Sequence, residues 1–526
     1  MSKASSNPMP LSHNILPRVL SFYHHWKKIY GGTFLVWFGP TPRLTISDPV
    51  LIREVLNQKS DLFEKTDPPP HVRKLEGDGG TFLVWFGPTA RLTISDPVLI
   101  REVLNQKSDL FEKTDPPPHV RKLEGDGLLT LKGEKWVHHR AIIAPAFYQN
   151  NLKLMIPVMW KSTEKMLEKW LEMSNSAAGT VEIEVSKWFK ILTEEIITHT
   201  AFGSCSYEDG KSIFELQAQQ MVFAIDSYSK VLIPGFRFFP SRKNRVSWRL
   251  DKEIKKSLTK LITKRINKAA HNNNSNNPTS DECPKDLLET MIKASVREEA
   301  ANREGLNSRK YLSESASTMI TVDDIVEECK TMFFAGKHTT SALLTWSTIL
   351  LAMHPHWQEL AREEVLRACG ARDLPTRDDV AKLKTLGMIL NESLRLYPPV
   401  VAILRRAKFD VDLGGCTIPC GTELLLPILP VHHDQSLWGH DATEFNPTRF
   451  ASGVAHAAKH PAAFMPFGLG GRRCVGQNLA ILQAKLAIAM ILQRFSFDLA
   501  PSYQHAPTVV MLLNPQHGAP IMFRKL

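Results

Sequence analysis

The residues best suited to chemistry lie in FMPFGLGGRRCVGQNLAILQAKLAIAMILQRF, where Cys474 sits in a glycine-rich loop just before an apolar, periodic helix. Backbone amides and the positive end of a helix dipole favour a thiolate over a thiol there, and Gly468, Gly470 and Gly476 let the backbone approach a flat ligand closely. A thiolate held in this way can ligate an iron at the centre of such a ligand. Gly468-Leu469-Gly470 is not a dinucleotide fingerprint, because no strand precedes it and the third glycine is missing. The plainer alternative for Cys474 is a buried cysteine in a tight loop.

Two other clusters call for a reason. Glu392 and Arg395 in NESLRLYPP are three apart on one helix face, so the carboxylate can bind its neighbour and also a second guanidinium such as Arg449. Taken singly, each would be a solvated surface pair. In EECKTMFFAGKHTTSALLTWSTILLAM a long apolar helix carries the hydrophilic insert Lys337, His338, Thr339 and Thr340. Ala335 and Thr339 are four apart, so the Thr339 hydroxyl can bond the preceding carbonyl, loosen the ladder and leave room for dioxygen beside Gly336.

At these residues the chain resembles the cytochrome P-450 superfamily. Phe467, Gly470, Arg472, Cys474 and Gly476 fit its FxxGxRxCxG signature, Glu392 and Arg395 its ExxR pair, and Pro447, Arg449 and Phe450 its PxRF element. The resemblance implies a mainly helical fold with a minor β-sheet domain, haem b as cofactor and Cys474 as the axial thiolate. It further implies Thr339 as the oxygen-activating threonine, and Trp136, Arg140, Arg405 and Arg472 as the residues that hold the haem propionates. Glu392, Arg395 and Arg449 would be structural. The family usually has an acid before the threonine, where this chain has His338; a histidine can relay protons near neutral pH, or it can simply face solvent or another helix.

Longer stretches, among them TWSTILLAMHPHWQELAREEVLRACG and VHHDQSLWGHDATEFNPTRF, look like the plant brassinosteroid-inactivating hydroxylases of this superfamily. That likeness implies oxidation of the terminal side-chain carbon of a steroid hormone, with O2 and electrons from an NADPH-dependent reductase at the cytoplasmic face of the endoplasmic reticulum. An acidic reductase would dock on the cysteine side, where Lys132, Lys135 and Arg473 are candidates for contact. Oxidation of another plant hormone or a fatty acid is the rival reading within the enzyme class, and a haem-binding but inactive scaffold the rival outside it.

These groups must be held by elements whose arrangement has one anomaly. Gly31 to Asp78 recurs as Gly79 to Asp126, with Pro42 against Ala90 as the only internal difference. Two near-identical copies are too few for a solenoid. In each, TFLVWFG and RLTIS read as two strands of a hairpin and DPVLIREVLNQ as a helix with an Asp-Pro start. A sheet with one place for such a unit should extrude the other copy. Residues 1–30 form a segment before the duplication, without the run of apolar residues a membrane anchor needs, and its piece from Ile15 to Tyr30 is expected to pack as a surface helix, with contact to a membrane surface as the alternative. Residues 127–526 should form the helical catalytic body, broken by polar loops at Ala270 to Pro284 and from Ala301 to Ser317.

Composition excludes little but points the same way. At 43% hydrophobic and 23% charged the chain can bury a sizeable core. Seven cysteines with no two-residue spacing argue for a reduced compartment rather than zinc. The net charge of +11 fits an acidic partner or an anionic membrane, and no nucleic-acid signature accompanies it.

Overall fold

The structure, a computed structural model, describes residues 8–19, 33–38, 41–46, 82–86 and 89–526, apart from 177–178, 204–206, 229–237, 273–285, 306–318 and 372. Its body is built from α1 (Gly133–Ile143), α2 (Gln149–Ser176), α3 (Val185–Phe202), α4 (Tyr207–Tyr228), α5 (Arg242–Asn272), α6 (Leu287–Gly305), α7 (Val322–Met353), α8 (Pro355–Cys369), α9 (Lys384–Leu396) and α10 (Gln477–Arg494). Helix α7 opens on a capping box in which Thr321 and Asp324 satisfy each other's backbone amides. It is apolar on every face because it runs through the centre of the core, where Trp346, Leu350 and Phe333 are fully buried. The Ala270 to Asn272 part of the Asn-rich stretch finishes α5, and Ala301 to Gly305 finish α6; the rest of both polar stretches lies outside the described residues.

The main sheet combines β1 (Thr33–Phe38), β2 (Thr41–Ile46), β3 (Phe82–Phe86), β4 (Thr89–Thr93), β5 (Phe111–Glu112), β6 (Ile403–Ala407) and β7 (Glu423–Leu426) in the order β1-β2-β3-β4-β7-β6-β5. The second copy of the repeat takes the interior place: β4 runs parallel to β7, with Leu92 opposite Leu424. One copy, or a composite stretch of the two, was expected to be extruded; instead the first copy's hairpin extends the sheet, β2 pairing with β3 through Thr45 and Ile46. An open strand edge presents unpaired amides and carbonyls, and a second hairpin of the same sequence satisfies them. The helix expected after the second hairpin forms as Pro97–Arg101, with the Asp96 carboxylate accepting from the Val98 amide, and continues as a π-helical turn through Gln106. Its counterpart in the first copy falls outside the described residues.

The N-terminal piece packs rather than projecting. Ile15 is fully buried, Met9 donates its amide to the His505 carbonyl, and Arg18 reaches the Pro507 carbonyl. Only Leu16–Val19 of the expected surface helix is described. Among the described residues no helix is long and apolar enough to cross a membrane.

Candidate active site

The cysteine loop is fixed by backbone geometry. Gly470 has φ +68°, and a Cβ there would meet the Leu104 carbonyl oxygen at 2.0 Å, so only glycine fits between this loop and the second repeat copy. The Cys474 amide donates to the Phe467 carbonyl at 2.9 Å, closing the loop two residues before the Gly476 N-cap of α10. At Gly476 φ is −88° and a Cβ would touch only Phe147, at 3.8 Å. Its bareness leaves space on the cavity side instead of relieving the backbone. Burial pushes the Cys474 thiol up, while the Gly476 amide and the cations Arg140, Arg473 and Lys113 pull the other way.

Cys474 opens onto a cavity of about 320 Å³ that also receives Phe467, Trp136, Arg140, Arg405, Arg472 and Gly476. Strand alternation places Arg405 there, since Ile403 and Arg405 share one face of β6 and both reach the cavity, while Arg406 on the other face pairs with Glu423. Arg472 stacks on the Trp136 ring, 4.3 Å from its centroid, and donates to the Leu131 carbonyl at 3.0 Å. Arg405 donates only to the Leu404 carbonyl, and Arg140 makes no hydrogen bond or ion pair with a described residue. Burial and Arg472 lower Arg405 to about 10.

Lys113 joins this group and was not legible in the sequence. Its ammonium donates to the Leu129 carbonyl at 2.6 Å and faces the same cavity. Burial, Arg405 and Arg472 together push it down to about 7. Lys113, Arg140, Arg405, Arg472 and Arg473 line one cavity, and five cations with no ion pair to a carboxylate among the described residues are costly unless an anionic ligand enters. A flat macrocycle bearing two carboxylates and presenting a metal to Cys474 meets that need. The residues present therefore fit haem.

On the opposite wall Ala335, Gly336, Thr339 and Thr340 of α7 line the cavity, and the Thr339 hydroxyl donates to the Ala335 carbonyl at 2.7 Å. His338 is not brought to this wall. It stacks against Phe334 at 5.4 Å, and burial, with Lys337 and Lys190 nearby, lowers it to about 3. His338 thus lies off the set of residues that line the cavity, packed against Phe334.

Glu392 and Arg395 are fully buried and joined by two hydrogen bonds of 2.7 Å. Arg395 also donates to the carbonyls of His432, Ala442 and Glu444, tying α9 to the segment that leads into the cysteine loop. Arg449 lies 3.5 Å from Glu392, but its closer acid is Asp441 at 2.5 Å, a partner with no signal in the sequence. Of the candidate docking cations, Lys132 is engaged by Glu112 and Asp115 and Lys135 by Asp324, so neither is a free contact; Arg473 is exposed and bonded to Gln477.

A cysteine facing a cation-rimmed cavity, across from a helix turn that carries a threonine hydroxyl, defines a haem-thiolate oxygenase site. The sequence model of the cytochrome P450 family matches residues 77–521, beginning at the second repeat copy. The chain is similar to cytochrome P450 734A1 of Arabidopsis thaliana, at 56% identity over all of this chain and 86% of the relative. It is also similar to cytochrome P450 734A6 of Oryza sativa subsp. japonica, at 53% identity over 100% and 86%. The heme domain of a cytochrome P450DA mutant shares the fold at a TM-score of 0.68 and 24% identity, covering 85% of this chain and 90% of that one. This chain belongs to the cytochrome P450 family and is a monooxygenase with haem b as its cofactor.

Proposed function

We propose that this monooxygenase hydroxylates the terminal side-chain carbon of a brassinosteroid-like steroid, inactivating the hormone, with electrons from an NADPH-dependent reductase at the cytoplasmic face of the endoplasmic reticulum. The observation that carries the assignment of residues is the single cavity shared by Cys474, the unpaired cations and the Thr339 turn. Bound haem supplies the site at which dioxygen is reduced by two electrons and one of its atoms enters a C–H bond, the other leaving as water.

The chain's own groups do the rest. Cys474 as thiolate would hold the haem iron. Arg140, Arg405, Arg472 and Lys113 hold the two carboxylates, the guanidinium forks each offering two donors, and Trp136 and Phe467 pack beside the ring. Thr339 turns its hydroxyl from the Ala335 carbonyl toward the cavity and orders a proton there. Leu128, Leu129, Ile196, Met332 and Val400 give the remaining wall an apolar surface suited to a steroid skeleton and exclude water from it. Glu392, Arg395 and Arg449 keep the cysteine loop in place.

Cys474→Ser tests the assignment, since a serine hydroxyl does not ionise at neutral pH and is a poor donor to iron. The reduced carbon monoxide band of a thiolate-ligated haem should vanish; its persistence would refute the role of Cys474. Turnover of a panel of steroids and fatty acids by the wild-type chain checks the substrate class, and preference for a fatty acid would overturn the steroid reading.

A further inference from the structure

The hydrophilic insert of α7 contains a residue the proposed function leaves unused. Lys337 meets α3 at two points: its backbone carbonyl lies 2.9 Å from the Thr193 hydroxyl, whose one proton it shares with the Phe189 carbonyl at 2.8 Å, and its ammonium meets Glu194 at 2.5 Å. One residue earlier, Gly336 lies so close to Ile197 of α3 that a Cβ would sit 2.7 Å from its side chain. The Lys337 ammonium also lies 4.7 Å from the centre of the Phe214 ring on α4. Both charged side chains are only 12% and 14% exposed, so salt screens the pair weakly.

All of these contacts fall on the turn of α7 whose other side lines the cavity. There the Thr339 hydroxyl bonds the Ala335 carbonyl at 2.7 Å within the continuous α7, sharing that acceptor with the helix ladder. The turn that carries this hydroxyl is gripped from outside the helix by α3 as well as by its own ladder. Positioning of the Thr339 hydroxyl therefore depends on α3 as well as on α7. His338 lies tilted against Phe334, with ring centres 5.4 Å apart.

We propose that Thr193, Glu194 and Lys337 form a clamp between α3 and α7 that positions the Thr339 turn for coupled use of oxygen. The inference rests on the monooxygenase reading above and names the positioning residues of that site. In the coupled reaction, substrate, O2, NADPH and one proton give hydroxylated substrate, water and NADP⁺. In the leak, O2, NADPH and one proton give hydrogen peroxide and NADP⁺, so the peroxide formed per NADPH reads the placement of the proton donor.

The test uses the full chain loaded with haem, an NADPH-dependent reductase and a steroid substrate. Glu194→Gln should keep the thiolate carbon monoxide band, raise the peroxide share by roughly threefold or more, and speed amide hydrogen exchange of residues 337–341 measured without NADPH. Exchanging the charges, Glu194→Lys with Lys337→Glu, should bring both readouts back toward wild type, which a merely structural role for either residue would not predict. Should Glu194→Gln load too little haem, Thr193→Val removes one hydroxyl without stranding a charge and is read in the same two ways. Wild-type peroxide share and exchange in Glu194→Gln and Thr193→Val, or failure of the exchanged pair to restore either readout, would overturn the clamp. Loss of the thiolate band or of coupled turnover in the wild-type chain itself would instead overturn the monooxygenase reading, leaving the exchange measurement as a test of the clamp alone.

Discussion

Residues 31–78 and 79–126 differ only at Pro42 and Ala90, yet they occupy different places in the molecule. Their hairpins form in the same register: Phe34 faces Thr45 and Leu35 faces Leu44 in the first, Phe82 faces Thr93 and Leu83 faces Leu92 in the second. Among the described residues it is the second that meets β7, and its Leu104 backbone abuts Gly470 of the cysteine loop. Local sequence is thus enough to make the hairpin, whereas its role in the site comes from what it is packed against. We propose that the body of 127–526 takes one copy as an integral part and carries the other as an added edge.

The largest expected effect comes from placing a charge at the same position of each copy. Leu92 is 4% exposed, so Leu92→Asp should cost about 4 kcal/mol or more and abolish haem incorporation, measured by absorbance per mole of purified protein. Leu44→Asp should leave haem content near wild type. Equal tolerance of both, with loss only in the double variant, would show that the two copies exchange places.

A smaller effect separates the lysines. Lys113→Met should weaken haem retention roughly tenfold, about one charge-assisted contact, while Lys65→Met leaves it unchanged. The pH dependence has a definite sign. Lys113 lies at about 7 against an ordinary 10.5, and a bound carboxylate favours its protonated form, so binding takes up a proton between those values. Haem retention by the wild type should therefore fall as pH rises through about 7, and the Lys113→Met variant should lose that component. An unchanged pH profile, followed by transfer of haem to an apo-globin acceptor, would remove Lys113 from the site.

The smallest effect concerns the one difference between the copies. Ala90 lies outside the Arg91 to Thr93 stretch that pairs with β7, and Pro42 already occupies its register in the first hairpin. Ala90→Pro should shift the midpoint of thermal unfolding by less than about 3 °C. By the same reasoning, deleting 31–78 or 79–126 gives two chains that differ at a single residue. Both should bind haem equally and aggregate less than the parent, as judged by size-exclusion profile.

The haem-side machinery was readable because its residues are close together in sequence or fixed by short motifs. FxxGxRxCxG packs the thiolate, its glycines and one cation into ten residues, and the three-residue spacing of Glu392 and Arg395 puts them on one face of α9 without further help. Thr339 and Ala335 are neighbours by helix geometry alone. Lys113 was not readable, because its FEKTD context occurs twice and nothing local marks either copy as facing a cavity. Asp441 escaped notice for the same reason, its value lying wholly in where Arg449 ends up.

By itself the sequence determined a helical chain with a cysteine poised before a helix, a threonine able to bend another, and a hairpin written twice. Those features follow from spacing and from backbone preferences that act over a few residues. Tertiary structure decided which hairpin joins β7, which five cations line one cavity, and that His338 packs against Phe334 while Lys337 is held by α3. The reason is that burial and charge compensation depend on groups hundreds of residues apart, whose distances are set only when the core closes around α7.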